Sequence, residues 1–212
     1  PYNGQLVVWS STQVPHLVRD QLATLLGLPA SAVRVVAPDV GGGFGVKGHV
    51  YPEDLLIPLV ARELGRPIRW VVDRREHLLA AAHAREQVHD IELAADRDGR
   101  VLGLRDRIVF DMGAHNPLGL VLPYNTVAHL FGPYVVPAAY FEVKVAVTNK
   151  APHAPYRGAG RPEAGFAMER ALARMARVLP PDPAEVGVRH LVPGPATTAG
   201  SGLPYGDGHS RG

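Results

Sequence analysis

The stretch QVHDIELAADRDGRVLGLRDRIVFD, residues 87–111, decides the fold. Apolar and polar residues alternate on either side of Asp96-Arg97-Asp98-Gly99, so two strands, Gln87 to Ala95 and Arg100 to Asp111, meet across a turn whose glycine supplies a positive φ. Ahead of this hairpin the chain alternates strands with helices. A strand at Gln5 to Ser10 leads to a helix opened by Pro15, in which Leu17, Val18, Leu22, Leu25 and Leu26 recur at helical spacing until Gly27 and Pro29 stop it. A strand at Val33 to Val40 runs into a glycine loop, and a helix follows from Asp54 to Leu64, closed by Gly65. A strand is predicted at Pro67 to Asp73, and a short helix starts in the charged group Asp73 to His77 and runs through Ala82.

Beyond the hairpin the pattern gives a helical stretch at Leu120 to Phe131, a strand at Tyr140 to Thr148, and a proline-rich loop from Ala151 to Pro155. A long helix from Arg161 to Leu179 carries Ala164, Met168, Ala171, Leu172, Met175 and Leu179 on one face, and a short helix covers Pro183 to Leu191. The hairpin interrupts the strand-helix alternation, so the fold class is α+β, mixed sheets with packed helices, rather than a doubly wound sheet. No internal repeat is visible. One domain is expected over residues 1–191, followed by a linker-like tail, 192–212, rich in Gly, Pro, Ser and Thr.

Composition narrows the function. Hydrophobic residues are 46% and charged residues 20% of 212, enough to bury a core, which excludes a disordered chain. Lys and Arg total 22 against 20 Asp and Glu, and aromatics are 7%, a balance that gives no basic footprint for nucleic acid. There are no cysteines, which removes disulfides, thiolate metal sites, cysteine nucleophiles and iron–sulfur ligation by this chain. Apolar runs such as Leu55 to Ala61 fall far short of the roughly 20 residues of a membrane span. The start, Pro1-Tyr2-Asn3-Gly4, has neither an initiator Met nor a signal-peptide pattern, so the expectation is a cytoplasmic chain that begins inside a longer protein.

Three motifs could carry chemistry. Gly41-Gly42-Gly43-Phe44-Gly45-Val46-Lys47 ends a strand, and its glycines let the backbone approach a ligand with N–H groups exposed, a cradle for an anion or oxo group. It is read as neither a dinucleotide fingerprint, on the expectation that the G-x-G-x-x-G spacing is not met and no acidic ribose partner is placed correctly, nor a P-loop, because no Ser or Thr follows Lys47. Pro155-Tyr156-Arg157-Gly158-Ala159-Gly160-Arg161-Pro162-Glu163 feeds a helix N-terminus, where positive potential and the forked donors of Arg157 and Arg161 suit anions. Ser11-Thr12-Gln13 precedes another helix start, where the Gln13 amide can donate to a ligand oxygen. Each alone is also readable as a turn or a cap. The ten histidines show no tight ligand spacing, and His16, His49, His115 and His153 are assigned surface or core roles.

Taken in order, S-T-Q before a helix, G-G-G-F-G-x-K after a strand and Y-R-G-A-G-R-P-E before a long helix closely resemble the large, molybdopterin-binding subunit of the molybdenum hydroxylases, the xanthine dehydrogenase and aldehyde oxidase family. The resemblance is nearest the bacterial branch that looks like the carbon monoxide dehydrogenase large chain. The segment Arg66 to His77 and the tail's Thr197-Thr198, Tyr205 and Asp207-Gly208 add to it.

The resemblance implies the family's first molybdenum-cofactor-binding domain, with Gln13, Gly42, Gly43, Phe44, Gly45, Arg157, Gly158 and Ala159 holding a molybdenum–molybdopterin cofactor, expected in its cytosine dinucleotide form. No residue would ligate the metal directly. The general base, a glutamate in the family, is expected downstream of this chain, and Glu163 is assigned a helix-capping role. The intact enzyme would hydroxylate an aldehyde or an N-heterocycle with oxygen from water, passing electrons to [2Fe-2S] and FAD partner subunits in a hetero-oligomer. Gly48 stands where purine-oxidising members carry a glutamate, Asn125 falls near their substrate-orienting arginine, and Ala159 replaces their stacking aromatic, which argues against a xanthine substrate. Gly158 stands where carbon monoxide dehydrogenases carry a copper-binding cysteine, which excludes a copper–molybdenum centre. Two other readings stay open: a non-catalytic cofactor-binding or scaffold domain, and a phosphate- or nucleotide-binding module built on the glycine loop and the Arg157 helix terminus.

Overall fold

The structure, a computed structural model, describes residues 4–116, 118–179 and 182–192. All of the tail except Val192 therefore lies outside the described residues. The chain falls into two compact units, Pro1–His83 with Ala154–Arg157, and Ala84–His153 with Gly158–Gly212.

In the first unit β1 (Leu6–Trp9) and β2 (Val33–Val36) pair in parallel, joined by α1 (Pro15–Leu26). Pro15 at the helix start costs no hydrogen bond, and Gly27, at φ +62°, receives the closing turn in the left-handed region that glycine favours. Val18 and Leu22 of α1 are fully buried and pack with Val33 in one core cluster. The strand expected over Val33 to Val40 ends at Val36, whose carbonyl takes the N–H of Ser10; two residues on, Pro38 has no N–H with which to extend the ladder. α2 (Pro52–Leu64) starts two residues before the expected Asp54, because Pro52 fits the first helical turn and the Asp54 carboxylate accepts the Tyr51 N–H at 3.1 Å. α3 (Arg74–Ala80) is capped by Asp73, whose carboxylate accepts the N–H of Glu76 at 2.7 Å.

The strand expected at Pro67 to Asp73 is not formed. The segment has no regular secondary structure, no described strand pairs with it, and Trp70 and Val71 are 42% and 69% exposed. β-formers alone do not make a strand; a sheet needs a neighbour and a covered face.

In the second unit β3 (Gln87–Ala95) and β4 (Val101–Gly113) form the antiparallel hairpin, and β5 (Ala139–Val147) adds to β4 in parallel. The sheet is mixed, as the α+β reading required. Asp96 fixes the turn by accepting the N–H groups of Asp98 and Arg100 at 3.0 and 2.8 Å, with Gly99 at φ +78°. α4 (Val121–His129) lies between β4 and β5 in sequence, and α5 (Arg161–Met175) packs on β3, burying Ala164, Met168, Leu172 and Met175 as the periodicity predicts. α5 stops at Met175 rather than Leu179, since its last bonds tighten to three-residue turns, Arg177 N–H to Arg174 and Val178 N–H to Met175. α6 (Pro183–His190) closes the described chain.

Candidate functional site

Six of the eight expected cofactor residues lie in the first unit, and its backbone brings three distant segments together there. Ahead of α1, the buried Thr12 accepts the Val14 N–H at 3.1 Å, while the Gln13 N–H donates to the Lys47 carbonyl at 2.9 Å. This ties the helix entry to the glycine loop. Gln13 Oε1 then accepts the Gly45 N–H at 2.9 Å, and the Phe44 carbonyl accepts the Arg157 N–H at 2.8 Å. The peptide group between Phe44 and Gly45 is held at its nitrogen by Gln13 and at its oxygen by Arg157. With Oε1 occupied, the Nε2 end of the exposed Gln13 forms no hydrogen bond among the described residues.

The loop packs closely against its neighbours. A Cβ on Gly43 would stand 2.4 Å from Gln13 Oε1, and one on Gly45 would stand 2.2 Å from the Pro155 carbonyl oxygen. Gly42 and Gly45 adopt φ +111° and +102°. Phe44 adopts φ +52°, at a cost of about 1–2 kcal/mol for a residue with a Cβ, and leaves its ring half exposed. Strain of that kind persists where surrounding bonds over-determine the backbone, which the Gln13 and Arg157 bonds do.

Residues that sequence reading missed support the loop from below. Tyr51 Oη donates to the Val46 carbonyl at 2.7 Å and accepts the Ala82 N–H at 3.3 Å. Asp54 accepts both the Tyr51 N–H and the Ser10 hydroxyl, the latter at 2.7 Å. The signal was available as Tyr51-Pro52-Glu53-Asp54, a helix start with an acid at its third position. His49 is buried against the Tyr51 ring, centroids 4.3 Å apart, and burial pushes its pKa below the ordinary value. His153 is likewise buried, while His16 and His115 are exposed.

Gly158 and Ala159 belong to the second unit. With Gly160 they form three consecutive left-handed residues, φ +99°, +45° and +98°, ending at the N-terminus of α5. Glu163 lies in the first turn of α5 but caps no amide; its carboxylate pairs with Arg85 at 3.1 Å, which corrects the capping role expected for it. The expectation that the G-x-G-x-x-G spacing is not met is corrected: the loop Gly43-Phe44-Gly45-Val46-Lys47-Gly48 meets it. It follows β2 rather than β1 and is separated from α2 by His49 to Tyr51, so no dinucleotide-type helix N-terminus opens on it.

Among the described residues no group of three His, Asp or Glu is placed to hold a metal ion, and no helix is long and apolar enough to cross a membrane.

The glycine loop thus carries one peptide pinned between the Gln13 amide side chain and the Arg157 backbone. The molybdopterin cofactor-binding domain model matches residues 1–191, and the chain belongs to that family. It is 39% identical to the large subunit of nicotine 6-hydroxylase from Paenarthrobacter nicotinovorans, over 96% of this chain and 26% of that protein. It is 40% identical to the carbon monoxide dehydrogenase large chain of Hydrogenophaga pseudoflava, over 91% and 24%. Among solved structures, quinoline 2-oxidoreductase from Pseudomonas putida 86 superposes with a TM-score of 0.85 at 43% identity, covering 89% of this chain and 24% of that one. The chain thus spans about a quarter of the length of the relatives it matches.

Proposed function

We propose that this chain is the part of a molybdopterin-dependent hydroxylase that grips the oxygen-bearing face of the cofactor, and that the whole enzyme oxidises an N-heterocyclic carbon. The observation that carries it is the Phe44–Gly45 peptide, fixed by Gln13 Oε1 at 2.9 Å and by the Arg157 N–H at 2.8 Å. That geometry turns Gln13 Nε2 outward as a donor, and the residues fit the group. Gln13, Gly42, Gly43, Phe44, Gly45 and Arg157, and by the family resemblance Gly158 and Ala159, would hold it. Bound there, molybdenum would supply two-electron oxidation and the means to deliver a water-derived oxygen.

The chain's own residues do the orienting. Gln13 Nε2 donates to the cofactor's oxygen, the glycines allow the backbone within hydrogen-bond reach, and donors fixed before reaction cost no reorganisation during it. Nicotine and quinoline, named for two relatives, are N-heterocycles, which supports that substrate class over aldehydes. A purine is disfavoured: no carboxylate stands at Gly48, and a Cβ there would lie 2.9 Å from the Gly45 carbonyl oxygen. The cysteine-free chain lacks the thiolate for a copper–molybdenum centre. Relatives named as a large subunit, a large chain and a complex subunit support the presence of partner subunits, to which the family resemblance assigns [2Fe-2S] and FAD.

The test is to produce the full-length protein with its neighbouring subunits and measure molybdenum, released pterin and cytidine monophosphate. N-heterocycles and aldehydes are then assayed in ¹⁸O-labelled water. Label in a hydroxylated N-heterocycle is the expected result. Label only in carboxylic acids from aldehydes would move the substrate class, and absence of pterin would overturn the reading.

A further inference from the structure

The left-handed turn Gly158–Ala159–Gly160 is not held by its own sequence alone. Within the second unit Thr126 of α4, fully buried, points its hydroxyl at the Gly160 carbonyl, 3.2 Å away, and at the Leu122 carbonyl one turn earlier, 3.0 Å away. Gln87 at the start of β3 donates its Nε2 to the same hydroxyl oxygen at 3.0 Å. An amide nitrogen can only donate, so the Thr126 hydrogen is forced toward the two carbonyls. Turning the Gln87 amide over would make the hydroxyl donate to Oε1 and leave the Gly160 carbonyl with the Ala164 N–H alone. The chosen orientation leaves Gln87 Oε1 buried without a hydrogen-bond partner in the described structure. A buried unpaired oxygen costs stability and calls for an explanation.

The fit at Gly160 is equally tight. A Cβ there would stand 2.6 Å from the Leu122 carbonyl oxygen and 2.8 Å from Thr126 Oγ1. Ala159, a residue with a Cβ at φ +45°, lies between two glycines in a conformation it does not favour. Locally the Arg161 N–H closes the turn on the Gly158 carbonyl at 3.1 Å, and Thr126 adds a restraint from α4 at its Gly160 end.

We propose that Thr126, oriented by Gln87, is a positioning residue that sets the Gly158–Ala159 amides for the cofactor. This rests on the function proposed above. In the full-length holoenzyme with its partner subunits, Thr126→Val keeps the shape and removes the donor, Thr126→Ser restores the donor, and Gln87→Met frees the hydroxyl to turn. Ile108→Val, a buried β4 change of volume alone, serves as the control for lost stability. Pterin released by dilution, the thermal midpoint, kcat and KM are measured for each.

The expected result for Thr126→Val is pterin release about tenfold faster and kcat about tenfold lower, as loss of supporting hydrogen bonds costs at metal sites. Thr126→Ser stays near wild type, and Gln87→Met falls between. Thr126→Val with unchanged pterin release and kcat overturns the inference, as does an Ile108→Val variant that loses pterin equally at an equal thermal midpoint. If Thr126→Val does not fold, Gln87→Met with wild-type pterin release overturns it. Wild-type protein without pterin sinks the proposed function and this inference together, whereas a loaded wild type with unaffected variants sinks this inference alone.

Discussion

Replacing Gly43 by alanine should separate folding from function, because the atoms that object to the new methyl group belong to a side chain that can leave. The three nearest atoms to the Cβ would be Oε1, Cδ and Cγ of Gln13, at 2.4, 2.5 and 2.6 Å. Gln13 is exposed, so it swings away and gives up its bond to the Gly45 N–H. That lost bond costs about 1 kcal/mol. Gly43 is not left-handed, so alanine also restricts the unfolded chain and returns about 0.4–1 kcal/mol. The two nearly cancel, and the denaturant midpoint of the full-length protein should hardly move. Activity should fall on the order of a hundredfold, the usual consequence of removing one fixed donor from a site where charge develops.

Gly45→Ala should do the opposite. Its Cβ would lie 2.2 Å from the backbone oxygen of Pro155, and φ +102° is strained for alanine, so about 1–3 kcal/mol of backbone strain adds to a clash that no rotamer relieves. Urea titration with parallel turnover distinguishes the two variants. A Gly43→Ala protein as active as wild type refutes the directing role of Gln13, and one as unstable as Gly45→Ala refutes the geometry.

Tyr51→Phe leaves the Val46 carbonyl and Ala82 N–H unpaired, and should destabilise by about 1–3 kcal/mol in urea unfolding. Asp111 is held down to about 2 by the Thr148 hydroxyl first, then the Gly113 N–H and Lys150. Because this folded-state value lies below the unfolded one, its stabilisation is present above the ordinary carboxylate range near pH 4 and fades as pH falls toward 2. Hydrogen-exchange protection of Gly113 should follow that window and lose it in Asp111→Asn. Burial first, then the Glu169 carboxylate 2.7 Å away, pushes the Tyr134 phenol up to about 12. A raised acid stabilises below its unfolded value near 10 and ceases to as pH rises through 12; absorbance at 295 nm should show Tyr134 titrating earlier in Glu169→Gln.

The helices and the hairpin were legible because their signals are local. Gly27, Gly65 and Asp96 terminate or turn the chain through backbone conformations and bonds spanning a few residues, so each works the same way in any fold. Pro67 to Asp73 misled because a strand is a relation between segments: the β-formers are there, the neighbour is not. Glu163 misled similarly, since its place in the first turn of α5 is consistent with a cap, yet Arg85, 78 positions away, takes its carboxylate.

The hairpin shows how far periodicity reaches. Alternation puts Leu104, Asp106, Ile108 and Phe110 on one face of β4, and all four are buried there, the aspartate completely. Nothing in the pattern says how a carboxylate survives among them; the answer is His89 on the facing strand, Nδ1 to Oδ2 2.7 Å. A buried carboxylate needs a partner, and the partner is fixed by register rather than by spacing along the chain. The same limit governs the candidate site. Gln13, Gly45 and Arg157 could be picked out as motifs, but that they meet at the Phe44–Gly45 peptide follows from three long-range bonds, and so does the role of Thr126. Sequence names the residues that touch a ligand through their own peculiarities, such as glycine runs and helix starts. The residues that aim them are ordinary in type and emerge only when the chain is folded.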